Sequence, residues 1–386
     1  MTFLLRSYKV FVTFLLIGFH FSSITFSQAK PEKRISKIDS LDFKIGQMLC
    51  VGFRGMYVDS AKEVIRDIQT YHLGSVILFD YDVERKISYR NISSPSQVKA
   101  LLRGLDSITF LNTSLRLLKG IDQEGGKVNR LKMKYGFPFF PSAASLGNLS
   151  NRDSTKHYAA LTAKSLMESG FNLNFAPVLD LNQNPDNPVI GKIERSFSGN
   201  PDTVILNASI FIDEAAQRGI HSVVKHFPGH GSSRNDSHLG VTDVSETWSD
   251  IELIPFAKLI EKNGSISVMT AHLFNRNWDT LYPATLSQSV VSGILRKKMN
   301  FKEVIFSDDL QMKAVTDQFG FEQTLYLAIE AGVDILVFGN NLVYDSNLVP
   351  KAHAAIKNMV TSGKVSKKRI DESFQRIARL KRTLKH

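Results

Sequence analysis

The sequence has a single cysteine, Cys50, so no disulfide can close within the chain; the thiol sits in the apolar stretch Met48-Leu49-Cys50-Val51-Gly52, where burial is expected. It has only 12 prolines in 386 residues, and no Pro/Gly/Ser-rich segment interrupts positions 40–365, which argues against a linker between separate domains. It also lacks the run of about 20 apolar residues that crosses a bilayer. The nearest run, Val10 to Phe19, is preceded by Arg6 and Lys9, broken soon after by His20, Ser22 and Ser23, and followed by Ser27-Gln28-Ala29. A basic start, a short apolar centre and a small-residue ending describe an export signal over 1–29. With no cysteine beside the cleavage site, a soluble periplasmic or extracellular product without membrane insertion is expected. A metal site is not expected either. His226, His230, Asp236 and His238 are plausible ligand types, but Phe227-Pro228-Gly229 between the two leading histidines cannot be the helix that presents an i, i+4 pair. No other cofactor is expected.

Charge is one-sided. The formal net charge is +11, and loss of 1–29 removes two cations and no anion, leaving +9. The basic residues are spread along the chain apart from Arg296-Lys297-Lys298 and Lys367-Lys368-Arg369, which read as solvated helix faces and not as a nucleic-acid site. A monomer with a carbohydrate partner is expected.

Short β-branched runs ending in Gly, Asp, Asn or His occur at 48–53, 75–80, 117–122, 171–180, 222–226, 266–272, 303–308 and 333–338. Several are apolar throughout, such as Val76-Ile77-Leu78-Phe79, which suits strands covered on both faces of a parallel sheet. Helical patterns separate most of them, for example at 60–70, 152–169, 203–218, 286–299 and 322–331, and 366–384 reads as an amphipathic helix with Ile370, Phe374, Ile377 and Leu380 on one stripe. Eight strands alternating with helices predict a single (β/α)8 TIM-like barrel with a C-terminal helix. The expected layout is a signal over 1–29, a linker over 30–42 and a barrel over 43–386.

In such a barrel, functional groups project from the C-terminal strand ends. Here those ends carry Asp122-Gln123-Glu124, Asp180, Lys225-His226 with His230, His272, and Asp308-Asp309. Each has an ordinary structural explanation taken singly: a helix cap, a core histidine, a lysine's partner. Burying them together is costly unless a polar ligand or mutual pairing compensates, so a catalytic pocket is expected.

The segment Lys225-His226-Phe227-Pro228-Gly229-His230-Gly231, followed by Asp236-Ser237-His238, resembles the bacterial β-N-acetylglucosaminidases (β-N-acetylhexosaminidases) of glycoside hydrolase family 3. The resemblance continues at Asp122 to Arg130, Asn174 to Asp180, Arg195-Ser196-Phe197, Pro283 to Ser287 and Phe306 to Met312, and covers about residues 43–380. It implies exo-acting hydrolysis of terminal β-linked N-acetylhexosamine with retention of configuration. By that similarity Asp308 is the nucleophile, His238 paired with Asp236 is the acid/base, and Asp122, Arg130, Arg195, Lys225 and His226 bind the sugar. Peptidoglycan fragments and chitooligosaccharides are the expected substrates.

Two features depart from the family's pattern: Lys127 stands where arginine is common, and Phe79-Asp80-Tyr81-Asp82 is unusually acidic, with an expected effect on the leaving group. Because successive strand residues point to opposite sides, Asp309 is expected to serve a structural role beside Asp308. With no later domain expected after strand eight, the acid is expected from the loop 229–240. Glu124 is expected to cap a helix and Asp180 to anchor the loop after strand four. The competing expectations are phosphorolysis at the same site, another β-glycosidase specificity, a non-catalytic sugar-binding protein and a metallohydrolase.

Overall fold

The computed structural model describes residues 40–235, 240, 242–262 and 266–384. Its centre is an eight-stranded parallel sheet, formed by β1 (Leu49–Gly52), β2 (Ser75–Leu78), β3 (Leu118–Ile121), β4 (Leu173–Asn174), β5 (His221–Phe227), β6 (Ser267–Thr270), β7 (Ile305–Phe306) and β8 (Leu336–Phe338). Each strand pairs with the next in sequence, β8 pairs back to β1, and a parallel bridge from Phe306 to Ile335 joins β7 to β8, so the sheet closes into the expected barrel.

The strands lie where apolar runs placed them, but several are shorter than the runs. β4 keeps two residues of 171–180: beyond it Pro177 has no amide to give a ladder, and the chain leaves the sheet to build a loop. Seven strands are buried at every residue, β5 at all but His221, as expected for a sheet with a packed interior and helices outside. One contiguous apolar core spans barrel and helices.

Helices at Lys62–Tyr71, Arg152–Ser169, Pro201–Gln217 and Phe321–Ala331 match the periodic segments, and Pro95–Asn112, Ile254–Lys262 and Leu348–Thr361 fill remaining gaps. The expected helix at 286–299 is wound over Ser289–Lys298 in the wide i→i+5 form. The last helix, Lys367–Thr383, buries Ile370, Ile377 and Leu380 as its stripe requires. No helix among the described residues is long and apolar enough to cross a membrane.

One boundary expectation changes. Helical structure begins at Leu41 with Ser40 capping it, its Oγ accepting from the Phe43 amide at 3.2 Å, so the segment read as linker is structured from residue 40. The expected signal at 1–29 and the linker up to residue 39 lie outside the described residues.

The basic runs are expected as solvated helix faces; their lysines are exposed, but their arginines are only partly so. Arg296 and Arg369, with Arg376, converge on the fully buried Asp334, whose Oδ1 lies 3.0 Å from Arg376 and 2.7 Å from Ser373 Oγ. A carboxylate taken out of water needs such partners, and only the run's lysines remain in solvent. Cys50 is buried as expected, and burial pushes its thiol up to about 12.

Candidate active site

A cavity of about 440 Å³ opens at the C-terminal ends of the strands and is lined by Asp122, Glu124, Arg130, Arg195, Lys225, His226, His230, Asp308 and Asp309 among others. It brings together Asp308 and all five residues expected to bind sugar. Asp236 and His238, expected as the acid/base pair, lie outside the described residues.

Lys225 organises the floor. Its ammonium, buried at the end of β5, lies 2.7 Å from Asp122 Oδ1 and 2.8 Å from Glu124 Oε1. Burial alone would lower its pKa, but the two carboxylates raise it, so the group is cationic. Arg130 NH2 approaches the other Asp122 oxygen at 3.8 Å, and Gln123 fixes that turn by accepting from the Arg130 and Leu131 amides at 3.1 and 3.0 Å.

The expectation that Glu124 caps a helix is wrong. Its side chain is buried and takes a bidentate contact from Arg195, at 2.7 Å to each oxygen, besides the contact with Lys225. Burial would raise its pKa; the two cations hold it far below the ordinary carboxylate range. Arg195 spends its remaining contacts on the Val189 carbonyl at 3.0 Å and His226 Nε2 at 3.1 Å. It therefore braces its neighbours more than it reaches into the cavity.

Asp180 has a role beyond the loop it was expected to anchor. Fully buried at the end of the β4 segment, it accepts from the amides of His226 at 3.1 Å and His230 at 2.8 Å through Oδ1, and meets His226 Nδ1 at 2.6 Å through Oδ2. Burial works against its charge, yet His226 and His230 lower its pKa. Since Arg195 can only donate to Nε2, the proton of His226 sits on Nδ1 and faces Asp180. The β5/β6 register shifts between Val224 and Phe227, and the consecutive residues Lys225 and His226 both line the cavity.

His230 is pushed down to about 4 by burial, against the opposing pull of Asp180, and Asp308 acts on it in the same favourable sense. It is neutral at pH 7, with Nδ1 2.8 Å from Ser233 Oγ. His272 donates from Nε2 to the Asp309 carbonyl at 2.9 Å and steadies the turn after β7.

Alternation does not separate Asp308 from Asp309. β7 ends at Phe306, so both aspartates lie in the turn beyond it and both line the cavity. Asp308 Oδ1 accepts from the Asp309 amide at 2.8 Å, while Asp309 Oδ1 accepts from the Gln311 amide at 3.0 Å, which ties Asp309 to the turn it begins.

Residues 40–380 match the model of the glycosyl hydrolase family 3 N terminal domain. The chain belongs to this family. This family 3 hydrolase is 36% identical over 274 residues to the β-hexosaminidase of Tolumonas auensis, covering 70% of this chain and 76% of that one. Its fold superposes with a TM-score of 0.81 on a family 3 β-N-acetylglucosaminidase from a Paenibacillus species, at 32% identity over 89% of this chain and 62% of that one. It superposes at 0.79 on a β-N-acetylhexosaminidase from Beutenbergia cavernae, at 27% identity over 89% and 98%. The hydrolase thus spans less than two thirds of the Paenibacillus chain and nearly all of the Beutenbergia one.

Two further residues hold its site and were not singled out in the sequence. Asn187 donates from Nδ2 to the His230 carbonyl at 2.7 Å and accepts from the Val189 and Ile190 amides at 2.9 and 3.0 Å, joining the loop after β4 to the loop after β5. Glu252 accepts from the Gly231 amide at 2.8 Å beneath that second loop. Asn187 stands in Asn184-Pro185-Asp186-Asn187-Pro188, which reads as turn chemistry, and Glu252 in an ordinary helix start, so neither carried a signal.

Proposed function

We propose that the chain hydrolyses terminal β-linked N-acetylhexosamine, N-acetylglucosamine in particular, with retention of configuration, as an exported enzyme acting on chitooligosaccharides or peptidoglycan fragments. The observation that carries this reading is the convergence of Asp308 with the chain Asp122, Lys225, Glu124, Arg195 and His226 on one cavity. Relatives named β-hexosaminidase and β-N-acetylglucosaminidase supply the choice of sugar.

In the first step an Asp308 oxygen bonds to the anomeric carbon while the bond to the leaving oxygen breaks, and His238, oriented by Asp236, gives that oxygen a proton. In the second, water attacks the same carbon, its proton passes to His238, and Asp308 leaves as the carboxylate. A histidine with an ordinary pKa of about 6.5 serves both directions near neutrality. Asp122 accepts from two neighbouring sugar hydroxyls, and Lys225 and Arg130 donate to them. Because these groups are already held by one another, little reorganisation is needed when the sugar arrives.

The test uses Asp308→Ala with an aryl β-N-acetylglucosaminide. Turnover is expected to fall by roughly 10⁴-fold or more, and added azide, filling the vacated face, is expected to yield the α-glycosyl azide. Undiminished turnover overturns the mechanism. In phosphate buffer the wild type is expected to release free sugar; accumulation of sugar 1-phosphate would transfer the site to phosphorolysis.

A further inference from the structure

The acidic segment after β2 is not explained by the reaction, and the structure shows where its charges go. Asp82 is buried and clamped by Arg54 Nε at 2.6 Å and Arg90 NH1 at 3.2 Å. Burial opposes its charge, but the two guanidinium groups hold its carboxyl down to about 2. Asp80, also buried, takes Lys132 Nζ at 2.5 Å and the Tyr135 hydroxyl at 3.3 Å. Asp82 does not line the cavity. Asp80 does line the cavity, but its carboxylate is engaged by Lys132 and Tyr135, so the acidity expected to affect the leaving group is neutralised by pairing on both aspartates.

What the acids do is fix a hairpin. Tyr81 and Asp82 pair antiparallel with Ser88 and Ile87, and the Tyr89 amide returns to the Asp80 carbonyl at 2.9 Å. The hairpin is tied to the loop after β8: Val83 N donates to Asn341 Oδ1 at 3.0 Å, Asn341 Nδ2 donates to the Tyr81 carbonyl at 3.1 Å, and Arg90 NH2 donates to the Asn340 carbonyl at 2.7 Å. In an extended segment neighbouring side chains face opposite ways. Asp82 turns to Arg54 and Arg90, while Tyr81, its neighbour in the strand, and Val83 in the turn that follows line the cavity that holds Asp308, with Leu342 from the tied loop.

These three apolar side chains stand 39%, 41% and 37% exposed at the mouth of a cavity whose floor is charged. A rigid, partly exposed aromatic beside aliphatic groups suits the apolar C–H face of a pyranose, whose hydroxyls project from its rim. Because the hairpin is already ordered, little conformational freedom is lost when a ligand lands on it.

We propose that Tyr81, Val83 and Leu342 form the leaving-group subsite, with Tyr81 as the platform on which a second, neutral sugar of a β-linked oligosaccharide stacks. This rests on the reading that the charged floor holds the terminal hexosamine beside Asp308. Asp80 and Asp82 then determine specificity indirectly, by aiming Tyr81.

The experiment compares two substrates in the full chain: N,N′-diacetylchitobiose, whose leaving group is a sugar, and N-acetylglucosaminyl β-fluoride, whose leaving group is too small to reach the hairpin. The readout is the ratio of kcat/KM for the first to that for the second, which does not depend on how much of a preparation is folded. In Tyr81→Ala the ratio is expected to fall about five- to tenfold, the size of one lost stacking contact. In Tyr81→Phe, which keeps the ring, it is expected to stay at the wild-type value. An unchanged ratio in Tyr81→Ala overturns the subsite, whatever happens to total activity. A wild type that cleaves neither substrate overturns the hexosaminidase reading first, and the subsite with it.

Discussion

Asp180 offers the sharpest test of how the site is held, because replacing it with asparagine changes one oxygen into a donor and nothing in shape. The existing contacts dictate which way the amide must turn. Oδ1 accepts from two backbone amides, those of His226 at 3.1 Å and His230 at 2.8 Å, and backbone amides cannot reverse. The amide nitrogen therefore occupies the place of Oδ2, 2.6 Å from His226 Nδ1, which carries a proton in the wild type. Two donors then oppose each other. If the imidazole instead moves its proton to Nε2, that proton meets Arg195 NH2 at 3.1 Å, and Arg195 cannot swing away because Glu124 holds it by two contacts of 2.7 Å. Either tautomer loses one charge-assisted hydrogen bond and creates one repulsive contact, a cost of about 2–3 kcal/mol. If all of it falls on the transition state, kcat/KM for an aryl β-N-acetylglucosaminide drops roughly 30- to 150-fold. Because the folded pKa of Asp180 is lowered, its charge stabilises the fold at neutral pH and that contribution is lost on acidification. The melting temperature of Asp180→Asn should thus lie below wild type at pH 7, with a gap that narrows as pH falls below the ordinary carboxylate range. A kcat/KM within twofold of wild type, or a melting temperature equal to wild type at pH 7, would refute the reasoning.

Glu252 titrates with the opposite sign: burial raises its carboxyl from 4.5 to about 7, so the folded state binds the proton more tightly and stability declines as pH rises through that interval. Glu252→Gln keeps an oxygen for the Gly231 amide and cannot ionise; its melting temperature should match wild type near pH 4.5 and exceed it at pH 8, by up to about 3 kcal/mol in stability, and a pH-independent difference would count against the assignment. At Gly231 an added Cβ would sit 1.6 Å from the Leu181 carbonyl oxygen, so Gly231→Ala must move backbone that also carries the contact to Glu252. A loss of about 2–3 kcal/mol is expected in denaturant unfolding, and an unchanged midpoint would show that the loop yields freely.

The eight strands were readable because a strand covered on both faces leaves a compositional mark, a short apolar run ending in polar or small residues, that needs no partner to be seen. Their lengths were not readable, because strand ends depend on where the chain peels away to form the mouth. The same limit decided the Asp308 and Asp309 question. Alternation is a property of a strand, and β7 stops at Phe306, two residues before it would have applied. Where a strand does persist the rule works: in the hairpin after β2, Asp82 turns to Arg54 and Arg90 while Tyr81 beside it in the strand lines the cavity.

Pairing was the larger gap. The types of residue gathered at the mouth follow from their positions at strand ends, since a barrel places all of those ends on one rim. Which charge neutralises which does not follow, because Glu124 and Arg195 are 71 positions apart and Asp180 and His226 are 46 apart. That gap changed functional meaning as well as structure. Glu124, read alone, is a helix cap; placed between Lys225 and Arg195 it keeps two buried cations compatible with each other. Asp82, read alone, is part of an acidic segment expected to affect the leaving group; held by two arginines it becomes the fastening of a hairpin whose apolar side chains line the cavity. In both cases desolvation is the reason. A buried carboxylate that lacks a partner is too costly to keep, so at the rim of this barrel an acid's nearest cation decides whether it meets the substrate or positions what does.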